Sequence, residues 1–343
     1  NISWGKKMSL TKASFSMITG APVNVLDYGA VADGDGSTGA GTDNSPFFQA
    51  AITAAVANGS HAIYIPAGQY ILKSSISIPS FFTVQGAGNW ATILIAYSTF
   101  TNASLLNCSG AGGPPTTIKD LAVTAQYGGV GANAVGINAA TTSVLMYNLW
   151  VAGFSTGITV SVSDTIIEST TIEYCNVGME ITGQGIHIND NIFYNNGTGF
   201  AVTNNSTFGS PILLNNSKFV QCRQYGISLN QAENVAISNC GFDNQNDTTT
   251  LSLAGIRVSA SNNVDLSNLQ LNWIGGTNSV SPGIWVDVSS QVTVNGCSVT
   301  GFKYGMNLVT CTELTVAGCI ATKNSEQGIY VDGCLSSSIS SNV

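Results

Sequence analysis

Charge is scarce in this chain. Only 8% of its 343 residues are Asp, Glu, Lys or Arg, against roughly 25% in an average globular protein. Positive charge is scarcest: ten Lys and Arg face eighteen Asp and Glu, for a formal net charge of −8. The ten are scattered, and displacing phosphate counterions takes a cluster of Lys and Arg, so a nucleic-acid partner is not expected. No run of about 18 apolar residues occurs, so no segment is expected to insert into a membrane as a helix. The eight cysteines show neither CxxC nor Cys/His spacing, so zinc is not expected. A chain of this length does not depend on disulfides, and the cysteines read as buried thiols.

What is plentiful is apolar residues, at 44%, and glycine, at 38 residues. Such a chain is not disordered, and with so few charges its surface must be Asn, Ser, Thr and Gly. That suits long β-structure facing an outside medium. From about residue 116 the chain repeats itself. An apolar-x-apolar-x-(Asn/polar)-(Cys/Leu)-x-apolar motif reads VLMYNLWV from 144, IHINDNIF from 186, ILLNNSKF from 212 and VAISNCGF from 235. It continues as VDLSNLQL from 264, VTVNGCSV from 292 and LTVAGCIA from 314, with weaker copies at 116, 165 and 337. A second motif, Gly-apolar-x-apolar, follows each, from GINA at 136 to GIYV at 328.

A fixed period between 20 and 50 residues signals a solenoid. Each unit holds three short alternating stretches and no helical spacing, so each coil is three short strands. The reading is all-β: a right-handed, single-stranded parallel β-helix of about ten or more coils, right-handed because parallel crossovers are. The polar position between the first two strands holds Asn148, Asp190, Asn216, Asn239 and Asn268, residues that tolerate a left-handed bend and bond the backbone. Cys240, Cys297 and Cys319 share one inward position, where cysteine serves as a small hydrophobe.

A β-helix needs a cover over its first coil, and SPFFQAAITAAVANG from 45 supplies a helix. Ser45 is the expected N-cap and Pro46 the first helical residue, with Phe48, Ala51, Ile52, Ala55 and Val56 as the apolar face. The stretch before it holds Asp33, Asp35 and Asp43 among glycines. It lacks the alternating oxygen ligands and closing Glu of an EF-hand and reads as a structural turn, without a metal. GAGNWATI at 86–93 mimics part of a dinucleotide fingerprint, but without a βαβ unit it reads as a turn between coils. The organisation expected is an arm or linker over 1–22, cap helix and first coils over 23–110, and repeating coils over 111–343. The last copy of the motif sits in SSSISSNV, so further chain is expected after it.

At this point the residues resemble a family. VLDYGAVADG, TDNSPFFQAAITAA and IYIPAGQYIL, in that order over residues 23–72, look like the entry signature of the pectate-lyase-like superfamily. That superfamily consists of right-handed β-helices acting on acidic or complex polysaccharides. The preceding LTKASFSMITGAPVNVLDYGA is similar to the short arm before the β-helix in tailspikes of bacteriophages and prophages. The resemblance implies a virion-tail or extracellular homotrimer that binds and depolymerises a polysaccharide of a bacterial surface. Two rival readings are a non-catalytic receptor-binding or structural β-helix, and a secreted lyase or epimerase.

Equivalent outward positions on successive coils form straight ladders. The third residue of the Gly motif gives Asn138, Thr159, Glu180, Ala201, Ser228, Arg257, Trp285, Asn307 and Tyr330. Aromatic rings stack on sugars and Arg forks onto carboxylates, so Arg257, Trp285, Asn307 and Tyr330 are candidate substrate-binding residues. Trp273, Tyr225 and Lys303, from the loops before this strand, join them. The alternative is that Arg257 and Trp285 stack on each other as a surface pair. A glycoside hydrolase needs two carboxylates. The expected pair is Asp243 or Asp247 with Asp287, and the second is Glu180 with Glu173. The polygalacturonase branch carries Asn-Thr-Asp, Asp-Asp, Gly-His-Gly and Arg-Ile-Lys on this strand. Here Tyr225 stands where the His would be, Val258 and Ser259 follow Arg257, and GTGFAV at 197–202 lacks the Asp pair. Polygalacturonase activity is therefore not expected. No cofactor is expected for hydrolysis. Elimination would use Arg257, Lys303 or Tyr225 on the proton, with calcium as its cofactor.

Overall fold

The structure is a computed structural model that describes residues 20–97, 100, 103–110, 113–125, 133–140, 143–205, 209–243, 253–273 and 281–343. Asp247, most of the enlarged loop before Ala254, and the arm up to residue 19 lie outside the described residues.

Each coil is three strands, as the motif period dictates. One coil runs Ile212–Asn215, Lys218–Val220 and Tyr225–Asn230; the next runs Glu233–Ser238, Gly241–Asp243 and Ala254–Ser259. They stack in parallel, Ile212 beside Val235, Lys218 beside Gly241 and Tyr225 beside Ala254. Among the described residues, first and second strands share a 22-stranded sheet, and third strands make an 11-stranded sheet. Asn148, Asp190, Asn216, Asn239 and Asn268 all sit at φ between 48° and 58°, the left-handed bend expected of them. Their amides also link coils along the axis: Asn148 Nδ2 donates to Asp120 Oδ1 at 2.9 Å and Asn239 Nδ2 to Asn215 Oδ1 at 2.9 Å.

Inward side chains fill one continuous core. Phe193, Phe219 and Phe242 stack coil on coil at 4.7 Å, and Cys240, Cys297 and Cys319 are buried thiols. Helix α1, Ser45–Ala57, covers the first coil with Phe48, Ala51, Ile52 and Ala55 buried. Two details differ from the sequence reading. The N-cap is Asn44, one residue earlier, and Val56 is 42% exposed. Ser45 is drawn away from capping because its hydroxyl donates to Asp43 and accepts from the Lys73 and Ser74 amides. Val56 follows because the buried stripe is narrower than the apolar one. Gly86 and Gly88 lie at the turn between Thr83–Gly86 and Thr92–Ala96, where the Gly88 amide donates to Asp120 O at 2.8 Å. None of the helices among the described residues is long and apolar enough to cross a membrane.

Candidate functional site

The third-strand ladder exists in full. Cα partners run Asn138–Thr159–Glu180–Ala201–Ser228–Arg257–Trp285–Asn307–Tyr330 through eight successive pairings. Its two halves differ. At the N-terminal end the side chains satisfy one another: Asn138 Nδ2 donates to Asn107 Oδ1 at 3.0 Å, and Thr159 Oγ1 to Asn138 Oδ1 at 2.7 Å. Further along, the side chains gather without closing. Arg257 donates from Nη1 to Tyr225 Oη at 3.3 Å and from Nη2 to Asp287 Oδ2 at 3.3 Å. Ser259 Oγ donates to the same carboxylate oxygen at 3.2 Å. The guanidinium lies over the Trp285 ring, 4.5 Å from its centroid, so the surface stack weighed as an alternative is present, and the ion pair is present with it. Both charged side chains are mostly covered, Arg257 at 31% and Asp287 at 18% exposure.

Arg257 Nε, Asp287 Oδ1 and Asn307 Oδ1 are buried and have no hydrogen-bond partner among the described residues. Unsatisfied buried polar atoms cost about 1–3 kcal/mol each, and these three lie on adjacent coils. Two coils beyond Arg257, Lys303 pairs with Glu326 at 3.6 Å and lies 5.1 Å above the Tyr304 ring. Tyr304 leans on Tyr330 at 5.6 Å. The cluster that the structure assembles is therefore Tyr225, Arg257, Asp287 and Trp285, extended by Asn307, Tyr330 and Lys303.

Other candidates stand elsewhere. Trp273 packs edge-on against Phe302, 6.0 Å between centroids, and against the core. Asp243 ends a second strand, on the 22-stranded sheet, and lines a small hollow with Phe219, Cys222, Phe242 and Asn272 where the chain turns towards the third strand. It belongs to the same coil as Arg257, while Asp287 is one coil on and on the other sheet. Glu180 faces outward on the ladder three coils from Arg257, about 14 Å at the usual strand spacing. Glu173 is on the 22-stranded sheet, around the corner from Glu180. Burial pushes its carboxyl up, and the nearby Trp150 indole partly offsets this. Ser259 and Tyr304 are the site residues that sequence reasoning missed. For Tyr304 a signal existed: KYGMNL repeats the Tyr-Gly of QYGISL three coils on.

Comparison with known proteins fits this architecture. Residues 22–251 match the family described as rhamnogalacturonase A/epimerase, pectate lyase-like, and residues 208–343 match the right handed beta helix region. The A-module of the Azotobacter vinelandii mannuronan C-5 epimerase AlgE4 superposes with a TM-score of 0.67 at 18% identity, over 93% of this chain and 95% of that one. The enzymatically active domain of bacteriophage CBA120 tailspike protein 2 gives 0.68 at 13% identity, over 91% of this chain and 52% of that one. A putative phage-related protein of Bacillus subtilis, YobO, is 38% identical over 72 residues, 21% of this chain and 7% of that protein. The structural likenesses establish the shared fold. By the match over 22–251, the chain belongs to the rhamnogalacturonase A/epimerase, pectate lyase-like family and is a right-handed parallel β-helix.

Proposed function

We propose that the protein binds a polysaccharide of a bacterial surface along the third-strand ladder and shortens it by hydrolysis, in the manner of a phage tailspike. The observation that carries this is the Tyr225–Arg257–Asp287–Trp285 cluster with its three partnerless buried polar atoms. A hydroxyl-rich ligand supplies both donors and acceptors to such atoms, and Trp285 and Tyr330 offer rings to its C–H faces. The fold supports the reading, since its neighbours include a tailspike active domain and an α-1,3-glucanase catalytic unit.

In this reading Asp287 is the base or nucleophile, and Arg257 and Ser259 fix where its carboxylate points. The acid that protonates the leaving oxygen is Asp243 or Asp247; Glu180, four coils from Asp287, is too distant to serve it and would need Glu173 as its own partner. Hydrolysis with inversion needs the two carboxyls roughly 6.5–9.5 Å apart, and retention about 5–5.5 Å. A second reading, elimination or epimerisation, draws support from the Arg257–Tyr225 hydrogen bond, which places a phenol next to a cation able to hold a uronate carboxylate. Calcium would then join the site. The homotrimer and the virion-tail setting belong to the same tailspike reading.

The test is incubation with capsular polysaccharide, lipopolysaccharide and exopolysaccharide from candidate hosts, followed by product analysis. Hydrolysis predicts shorter chains with new reducing ends and no unsaturated sugar. An ultraviolet-absorbing unsaturated product would favour elimination instead, and no shortening of any polysaccharide would remove the enzymatic reading.

A further inference from the structure

A second gathering of aromatic side chains stands on the outer face of the 22-stranded sheet. Trp90, in the turn between Thr83–Gly86 and Thr92–Ala96, is 70% exposed, yet its ring is held. It stacks on Trp150 with centroids 4.3 Å apart and 26° between planes. Trp150 faces outward on a second strand, beside Thr171 of the next coil. The neighbouring outward row runs Ala152, Glu173, Tyr194. Tyr194 meets Tyr174 edge-on at 5.6 Å, and Tyr174 is 52% exposed. Between the two aromatic pairs lies Glu173, half-buried, near enough to the Trp150 indole and to Tyr174 for each to feel the other. Trp150 Nε1 is itself buried and makes no hydrogen bond of ordinary geometry among the described residues.

These features restrict what covers the surface. Rings that face solvent and are braced by neighbours give a flat, pre-ordered contact. A protein partner would bury Glu173, which has no ion pair among the described residues, and interface cores are depleted of charge for that reason. A uronate would meet a like charge. An uncharged pyranose avoids both difficulties: its C–H face covers Trp90 and Tyr174, and its hydroxyls donate to the Glu173 carboxylate.

We propose that Trp90, Trp150, Glu173, Tyr174 and Tyr194 form a second binding platform, which takes uncharged sugar residues of a polysaccharide. It rests on the reading of the protein as polysaccharide-acting but uses none of the Arg257 cluster. Tyr174 occupies the bend that leads into Val177–Ile181, so the platform ends where the ladder passes Glu180. A chain held there lies next to the groove, at raised local concentration for it. The two sites differ in charge: the groove pairs Arg257 and Lys303 with carboxylates, whereas the platform holds Glu173 without a cation and suits neutral or N-acetylated residues.

Affinity electrophoresis of the full chain tests this, in gels containing dextran, galactomannan or a soluble N-acetylglucosamine polymer. Every sample carries Arg257→Ala and Asp287→Asn, so that the groove is disabled throughout. Retardation is expected in at least one gel, weakened about tenfold by Trp90→Ala, the scale of losing one stacked anchor, and weakened also by Glu173→Ala. Thermal melts confirm that each variant is folded. Absence of retardation in all three gels would overturn the platform, as would retardation that Trp90→Ala and Trp150→Ala both leave unchanged. If Trp90→Ala instead alters the sedimentation coefficient and not the gel mobility, the surface joins copies of the chain and the proposal is also overturned. Failure here leaves the cleavage reading untouched, and failure of cleavage leaves the platform standing.

Discussion

A single missing atom explains the Gly motif. A Cβ on Gly157 or Gly178 would stand 2.5 Å from the carbonyl oxygen of the equivalent glycine one coil on, and the same clash recurs at Gly305. The third strands can stack only if this column carries no side chain. Gly178→Ala should therefore cost about 1–3 kcal/mol, the usual penalty for overpacking. Gly241→Ala, where nothing lies within 4 Å, should shift the thermal midpoint far less, and equal shifts in the two variants would refute the steric account. The motif was legible in the sequence, but its cause was not, because the clash is with a residue 21 positions away (Gly157 against Gly178). The same limit applied at the site. The ladder members followed from period alone, whereas the Arg257–Asp287 contact depends on which way two long side chains lean between coils. Trp90 and Trp150, 60 residues apart in the sequence, meet only because their coils stack with a single coil between them.

The acids of the loop before the cap are tied into the fold by local hydrogen bonds. Asp33 accepts from the Thr42 amide and hydroxyl, Asp35 from Ser37 and Thr38, and Asp43 from Ser45. Gly34 and Gly41 are needed because a Cβ on either would press into neighbouring backbone, at 2.9 Å. The Ser37 hydrogen bonds, then Thr38, pull the Asp35 carboxyl down to about 2. A depressed carboxylate contributes stability above its unfolded pKa and loses it as pH falls through the folded one. The loop should accordingly hold at neutral pH and loosen between about 3.8 and about 2. Hydrogen exchange at the Ser37 amide would report this, and Asp35→Asn should make exchange there faster at neutral pH and flatten its acid dependence. Unchanged exchange in that variant would mean the carboxylate does not organise the turn. The element was predictable in kind and position. Its first residue was misread because Ser45 had a stronger use than capping.

The whole molecule is a stack of coils with few charges, and its Arg257–Asp287 ion pair stands on the outer face of the 11-stranded sheet. Coil stacking turns a period of about 25 residues into rows of side chains about 4.8 Å apart, and two neighbouring rows bring a cation, a carboxylate and aromatic rings together with unsatisfied polar atoms. The opposite arrangement, neutral rings around Glu173, stands on the other sheet. Under the proposals made above, the two surfaces together would hold a heteropolysaccharide at two kinds of residue. The central claim, proposed above, is that the Arg257–Asp287 pair is where a polysaccharide is handled and cut. It is tested most directly by the initial rate at which wild type and Asp287→Asn shorten the same surface polysaccharide, followed by size-exclusion chromatography, with matched melting curves as proof of folding. The account predicts shortening by wild type and a loss of roughly 10²–10⁴-fold in the variant, the range for removing a positioned acid–base group. Shortening by Asp287→Asn at the wild-type rate would contradict it.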